Sequence, residues 1–127
     1  MTYSISVSKS FRAEHWMPSG KPEELVPHQH DYRIHVTLEG ENLGDDGFLM
    51  DIDLLKGGLD DLVSRLSGTK VNNLPELRGG PPSMENFAAA LWTAILTKLD
   101  TSGVESMTVT LWESEDAAAS YGKRLRG

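Results

Sequence analysis

Tyr32-Arg33-Ile34-His35-Val36-Thr37-Leu38-Glu39 alternates apolar and polar residues without a break. Successive side chains of an extended chain point to opposite faces, so this stretch reads as a strand with one buried face. Working back towards the start, Tyr3, Ile5 and Val7 alternate in the same way, and a strand is expected over Thr2 to Phe11. His15 keeps the parity of Phe11 and Ala13 but lies just past that expected strand. Between the two strands, Pro18 to Pro27 holds Gly20 and Pro22 and reads as a loop. Working forward, Gly40 to Gly47 is turn-like and Phe48 to Met50 is expected to close a hairpin. Asp53 is the expected cap of a helix with Leu55, Leu59, Leu62 and Leu66 at helical spacing. The pair Gly57-Gly58 weakens that helix by roughly 1 kcal/mol per glycine relative to alanine. After a Pro- and Gly-rich loop, Ser83 caps a stronger helix with Phe87, Leu91 and Ile95 on one face, ending near Asp100 to Gly103. Val104 to Glu113 is a strand with Met107, Val109 and Leu111 on one side. Ala117 to Leu125 fits either a helix or a short final strand.

That order predicts an α+β domain with two helices on one face of an antiparallel sheet. Residues 1–127 show no internal repeat, low-complexity stretch or linker, and one domain is expected. The composition agrees, with 39% hydrophobic and 24% charged residues. No apolar run approaches the roughly 18 residues that span a bilayer. The first residues lack a signal-peptide apolar block, so a cytoplasmic protein without a membrane partner is expected. There are no cysteines, which removes disulfides, thiolate ligands and cysteine nucleophiles together. A net charge of −7 argues against nucleic acid as a partner. The cluster Lys123, Arg124 and Arg126 reads as a solvated tail.

Any metal must therefore be held by His, Asp or Glu. His28 and His30 are two apart at the start of a strand, so an extended backbone turns both rings to one side. His15, just beyond the preceding strand, can come alongside. Three imidazoles with an open fourth position form a known catalytic zinc arrangement, although imidazole also suits copper, iron and nickel. The competing reading is three loop histidines near a turn. His35 has the opposite parity and is expected to face away.

Further motifs follow in order. Phe11-Arg12-Ala13-Glu14-His15 is followed by His28-Gln29-His30-Asp31-Tyr32, and then by Gly47-Phe48-Leu49-Met50-Asp51-Ile52-Asp53-Leu54-Leu55-Lys56. Pro82-Ser83-Met84-Glu85-Asn86 comes next, then Trp112-Glu113 and Tyr121. This ordered set, spanning nearly the whole chain, resembles the 6-pyruvoyl-tetrahydropterin and 6-carboxy-tetrahydropterin synthase family. The resemblance implies a T-fold that oligomerises into a barrel, usually a homohexamer, with a small-molecule pterin bound near Zn2+ held by His15, His28 and His30. It implies that Glu113 grips the pterin's guanidine-like edge, which suits a carboxylate able to accept two parallel hydrogen bonds. Glu85 corresponds to a Glu near the pterin, although an acid in a helix's first turn is also favoured by the macrodipole. Ser83 is a helix cap or a ligand contact. Asp51 and Lys56 are expected to hold the turn and first helix together.

Two positions depart from the family pattern. Where the family carries a catalytic Cys, four residues before the His pair, this chain has Glu24, with Glu23 adjacent as the other candidate. Some family members carry Glu in this loop and are associated with cleaving the dihydroneopterin side chain. The family's Asp–His proton-relay dyad is replaced by Ser67-Gly68, and Gly68 cannot transfer a proton. The expected function is a zinc-dependent lyase acting on the side chain of dihydroneopterin or its triphosphate, with Glu24 as acid–base residue. The alternative is a metal-containing pterin-binding protein that turns over slowly or not at all.

Overall fold

The computed structural model describes residues 2–18 and 20–125. Strand β1 (Tyr3–His15) is followed by a one-turn helix α1 (Pro22–Leu25), strand β2 (His28–Gly40), and helices α2 (Ile52–Leu66) and α3 (Met84–Leu96). Strands β3 (Ser106–Ser114) and β4 (Ala117–Arg124) complete an antiparallel sheet in the order β1-β2-β3-β4. The ambiguous final segment is thus a strand, because pairing with β3 uses its backbone groups along its length. Arg126 of the basic cluster lies outside the described residues.

One face of the sheet is apolar, with Phe11, Ile34, Val36, Leu38, Met107, Val109 and Leu111 all buried. Helix α2 covers it on the β1 side with Leu55, Leu59, Leu62 and Leu66, and α3 covers β3 and β4 with Phe87, Leu91 and Ile95. Leucines at this helical spacing each remove an apolar side chain from water, a gain of about 1.5–3 kcal/mol apiece. Gly58 is buried in α2, where a Cβ would stand 2.9 Å from the Leu99 side chain. This glycine weakens the helix locally but lets the segment after α3 approach closely. The opposite face of the sheet is polar. Ser8, His35, Thr110 and Ser120 lie in one row across the four strands.

Three local expectations are corrected. Asp51, not Asp53, caps α2. Its backbone is extended and its carboxylate accepts the Asp53 N–H at 2.9 Å. Two acids two residues apart cannot be ranked by pattern, because the apolar period does not fix where the first turn closes. Phe48 to Met50 forms no strand. Asp46 accepts the Phe48 N–H, and the Phe48 carbonyl accepts the Gly44 N–H, so the loop uses its own backbone groups. The 18–27 loop contains α1, opened by Pro22 at its first position.

The cap assignment is testable. Asp51→Ala is expected to lower stability by about 1 kcal/mol in urea unfolding. Asp51→Asn should retain most of that stability, because an amide oxygen caps nearly as well as a carboxylate.

Candidate metal and ligand site

The β1–β2 register sets His15 opposite His28, Ala13 opposite His30 and Phe11 opposite Tyr32. Cross-strand partners share a face, so His15, His28 and His30 all point to the helix-covered side. His15 is therefore the last residue of the strand rather than a neighbour of it, a correction to the earlier reading. Its extension has a physical source. The Thr69 carbonyl accepts the Glu14 N–H, and the Arg12 carbonyl accepts the Gly68 N–H, so the outer edge of β1 is held by the 68–70 loop. His35 pairs with Ser8 and Thr110 on the other face, where its Nδ1 lies 2.7 Å from Ser8 Oγ.

The three imidazoles converge. One ring nitrogen from each lies within 4.8 Å of the other two, and His15 Nε2 and His28 Nε2 are 2.9 Å apart. Nitrogens sharing a tetrahedral zinc at about 2.0–2.1 Å stand roughly 3.3 Å from one another, so the group has the right scale. The Val26 carbonyl, 2.9 Å from His28 Nδ1, can only accept. His28 Nδ1 therefore donates to it, which turns the other ring nitrogen, Nε2, towards His15. The Tyr32 hydroxyl lies 3.3 Å from His15 Nδ1, leaving the His15 Nε2 to face inward. Partners on the far ring nitrogens that fix tautomer and orientation are typical of metal-binding histidines. Nitrogen donors at this spacing, with these partners, fit zinc.

Burial first, then the neighbouring His28 and His30, pushes the His15 imidazole down from 6.5 to about 4, against a smaller upward pull from a hydrogen bond to the Pro82 backbone. His15 is thus neutral near pH 7, the state a metal ligand requires. Burial, and then the charge of Glu113, raises the Tyr32 hydroxyl above its ordinary value, so it stays protonated. Tyr32 is 1% exposed, stacked on Phe11 and edged by Phe87. The sequence reading assigned Tyr32 no role. Its shared parity with His28 and His30 was the available signal.

A cleft of about 450 Å3 opens over the histidines. Glu24, Ser83, Glu85 and Glu113 line it together with His15, His28 and His30, while Met17, Pro82 and Met84 supply apolar wall. The three histidines, Glu24, Ser83, Glu85 and Glu113 thus meet in one cavity. Glu24 reaches it from α1, whose loop is closed by the Met17 N–H donating to the Glu24 carbonyl at 2.7 Å. Glu23 is exposed and does not line the cleft. Gly20 lies under the Glu24 carboxylate, and a Cβ there would stand 2.2 Å from its Oε2. Glu113 sits at a register shift in β3, between Trp112, opposite Ala118, and Ser114, opposite Ala117. A bulge of this kind re-aims a side chain at a sheet rim. Ser83 is a true helix cap, its Oγ accepting the Asn86 N–H at 3.1 Å, and it also borders the cleft.

Ser67 and Gly68 do not line the cleft. Gly68 has φ +76°, the left-handed turn that ends α2, and its N–H is spent on Arg12. Asn72 instead clamps Trp16, its Oδ1 accepting the Trp16 N–H and its Nδ2 donating to the Trp16 carbonyl.

A family model described as 6-pyruvoyl tetrahydropterin synthase matches residues 4–124. A Plasmodium vivax 6-pyruvoyltetrahydropterin synthase, solved with a catalytic glutamate replaced by alanine, is similar in fold, with a TM-score of 0.81 at 18% identity over 98% of this chain and 99% of that one. The Caenorhabditis elegans 6-pyruvoyl tetrahydropterin synthase gives 0.77 at 17% identity, over 97% and 96% of the two chains. A Burkholderia thailendensis dihydroneopterin aldolase bound to guanine gives 0.50 at 13% identity, over 99% and 92%. No curated protein sequence matches the chain. No helix among the described residues is long and apolar enough to cross a membrane.

The buried imidazole gives a pH prediction for the metal-free protein. Above pH 6.5, His15 is neutral in both the folded and unfolded chain and adds no pH dependence. As pH falls from 6.5 towards about 4, the unfolded chain takes up a proton that the folded chain refuses, so stability falls through that window. Urea midpoints of wild type and His15→Gln across pH 4–7 should show a smaller slope in the variant.

Proposed function

The chain belongs to the 6-pyruvoyl tetrahydropterin synthase family, and from that premise we propose that it is a zinc-dependent lyase cleaving a carbon–carbon bond in the side chain of dihydroneopterin or its triphosphate. The observation that carries this reading is the meeting of Glu24, Glu113 and the three imidazoles in a single cleft. His15, His28 and His30 would hold the ion, leaving a coordination position open. When bound, the ion supplies Lewis-acid polarisation of the side-chain hydroxyls.

The protein's own groups do the rest. Glu113 accepts two parallel N–H bonds from the guanidine-like edge of the pterin and so fixes the ring. The guanine in the Burkholderia thailendensis aldolase carries the same donor edge. Glu24, half-buried over the cleft, takes the proton of a side-chain hydroxyl as general base. The deprotonated oxygen then forms a C=O as the adjacent carbon–carbon bond breaks in the retro-aldol sense, the electron pair of that bond moves into the conjugated ring C=N, the fragment leaves as an aldehyde, and the proton returns to the side-chain carbon left on the ring. A glutamate as catalytic residue in the Plasmodium vivax protein supports this assignment. Ser83 and Glu85 border the same space and are proposed to contact the substrate. Residues 1–127 would act as one pterin-binding domain. The outer strands β1 and β4 are candidates for pairing with further copies into the proposed barrel-shaped hexamer.

A second reading, a pterin-binding protein without turnover, is favoured by one observation. With Gly68 in a left-handed turn, no second proton carrier stands in the place of the family's dyad. Proton return would then fall to water, and turnover would be slow. Product analysis after incubation with dihydroneopterin and its triphosphate separates the two readings.

Replacing His15, His28 or His30 with Ala should abolish stoichiometric zinc by metal analysis, whereas His35→Ala should leave it in place. Glu113→Gln turns one acceptor into a donor facing the ligand's donors, and should weaken pterin binding by about tenfold or more with zinc unchanged. Glu24→Gln should slow turnover by about a hundredfold or more in rate assays, while Glu23→Gln changes it little.

A further inference from the structure

We propose that Asn72 is a positioning residue for the metal centre, fixing the backbone that carries His15. The inference rests on the metal reading given above and adds a residue to it. β1 is an outer strand, and every second residue of such a strand turns its N–H and C=O away from the neighbouring strand. Arg12, Glu14 and Trp16 follow that alternation, and one segment meets all three. The Arg12 carbonyl accepts the Gly68 N–H at 2.9 Å, and the Thr69 carbonyl accepts the Glu14 N–H at 3.0 Å. Lys70 runs alongside Glu14 in a short parallel pairing. There the backbone leaves β1, because Val71–Asn73 curls into a 3₁₀ turn anchored by Val71 in the core. The Asn72 side chain then continues the ladder. Its Oδ1 accepts the Trp16 N–H at 3.1 Å, and its Nδ2 donates to the Trp16 carbonyl at 2.9 Å.

A carboxamide carries the donor and the acceptor of a peptide group, and Asn72 spends both on one residue. The Trp16 N–H belongs to the rigid peptide plane that also contains the His15 Cα and carbonyl. Holding that N–H therefore fixes the direction in which the His15 side chain leaves the chain. The clamp acts where the sheet ends, since His15 opposite His28 is the last pair of β1 with β2. On the next residue the Met17 N–H donates to the Glu24 carbonyl at 2.7 Å, so the chain leaving His15 is held by two separate segments. At the other end of the same side chain the Tyr32 hydroxyl stands 3.3 Å from His15 Nδ1. Tyr32 orients the ring and Asn72 orients its root. Asn72 does not line the cleft, so its effect on a metal passes through His15. The β1–β2 pairing and the bonds to Arg12 and Glu14 persist without it, which confines the consequence of its loss to the site.

Zinc affinity, measured by competition with a chromophoric chelator, and the visible spectrum of the cobalt-substituted protein test this. Asn72→Leu keeps nearly the same volume and makes neither bond. It should weaken zinc binding by about tenfold or more, and it should shift the cobalt ligand-field bands, which read ligand geometry. Asn72→Gln keeps both groups on a longer stem and should recover most of the affinity. Asp51→Ala, which removes the α2 cap, is the control for lost stability alone and should bind zinc as the parent does. If Asn72→Leu does not fold, Asn72→Ala, in which water can reach both Trp16 groups, makes the same comparison with the same expected direction. Parent-like zinc affinity and cobalt spectrum in either folded variant would overturn the inference while leaving the metal site standing. An equal loss in Asp51→Ala would assign the effect to stability and overturn it as well. A parent protein that binds no zinc would remove the metal reading itself, and this inference with it.

Discussion

The antiparallel register of β1 on β2 is the constraint on which the site depends. A slip of one residue would turn His15 away from His28 and send either the histidines or the apolar residues to the wrong face. Thirteen consecutive pairs, from Tyr3 opposite Gly40 to His15 opposite His28, hold that register. Its strength comes from what lies behind it. Phe11, Tyr32, Ile34, Val36 and Leu38 are buried together under the helices, so any slip would expose an apolar row to water. Core packing and ligand geometry are thus two consequences of one pairing.

Tyr32 joins these consequences at a single residue. Its ring belongs to the aromatic cluster with Phe11 and Phe87, and its hydroxyl reaches His15. The charge of Glu113 acts on the same hydroxyl. The rim is made differently. Glu24 arrives on a one-turn helix and Glu85 on the first turn of α3, so these two acids stand on helices rather than on the sheet.

The departures at Glu24 and Gly68 both lie outside the four strands. Gly68 adopts a left-handed conformation that ends α2 and presents its N–H to Arg12, which braces the edge of β1. Its place in this fold is structural, and an imidazole there would require a conformation that side chains rarely adopt. Glu24 needs the close backbone at Gly20. Both arrangements agree with the proposed site, in which carboxylates rather than a histidine relay would handle protons.

Much was legible in the residues themselves. Alternation in Tyr32 to Leu38 and helical spacing in Leu55 to Leu66 and in Phe87 to Ile95 follow from the two periodicities of the backbone, and they identified the sheet and both long helices. Parity turned His28 and His30 to one side and His35 to the other, because a strand's side chains alternate by geometry alone. Pattern could not decide whether Asp51 or Asp53 capped α2, or whether 117–125 was strand or helix, because both choices satisfy local preference. Nor could it extend β1 to His15, since that last pairing rests on backbone bonds from residues 68–70, more than fifty positions away. The choice between Glu23 and Glu24 likewise depends on how α1 packs over the cleft. Local chemistry set which groups were available, and long-range hydrogen bonding and burial decided which of them meet.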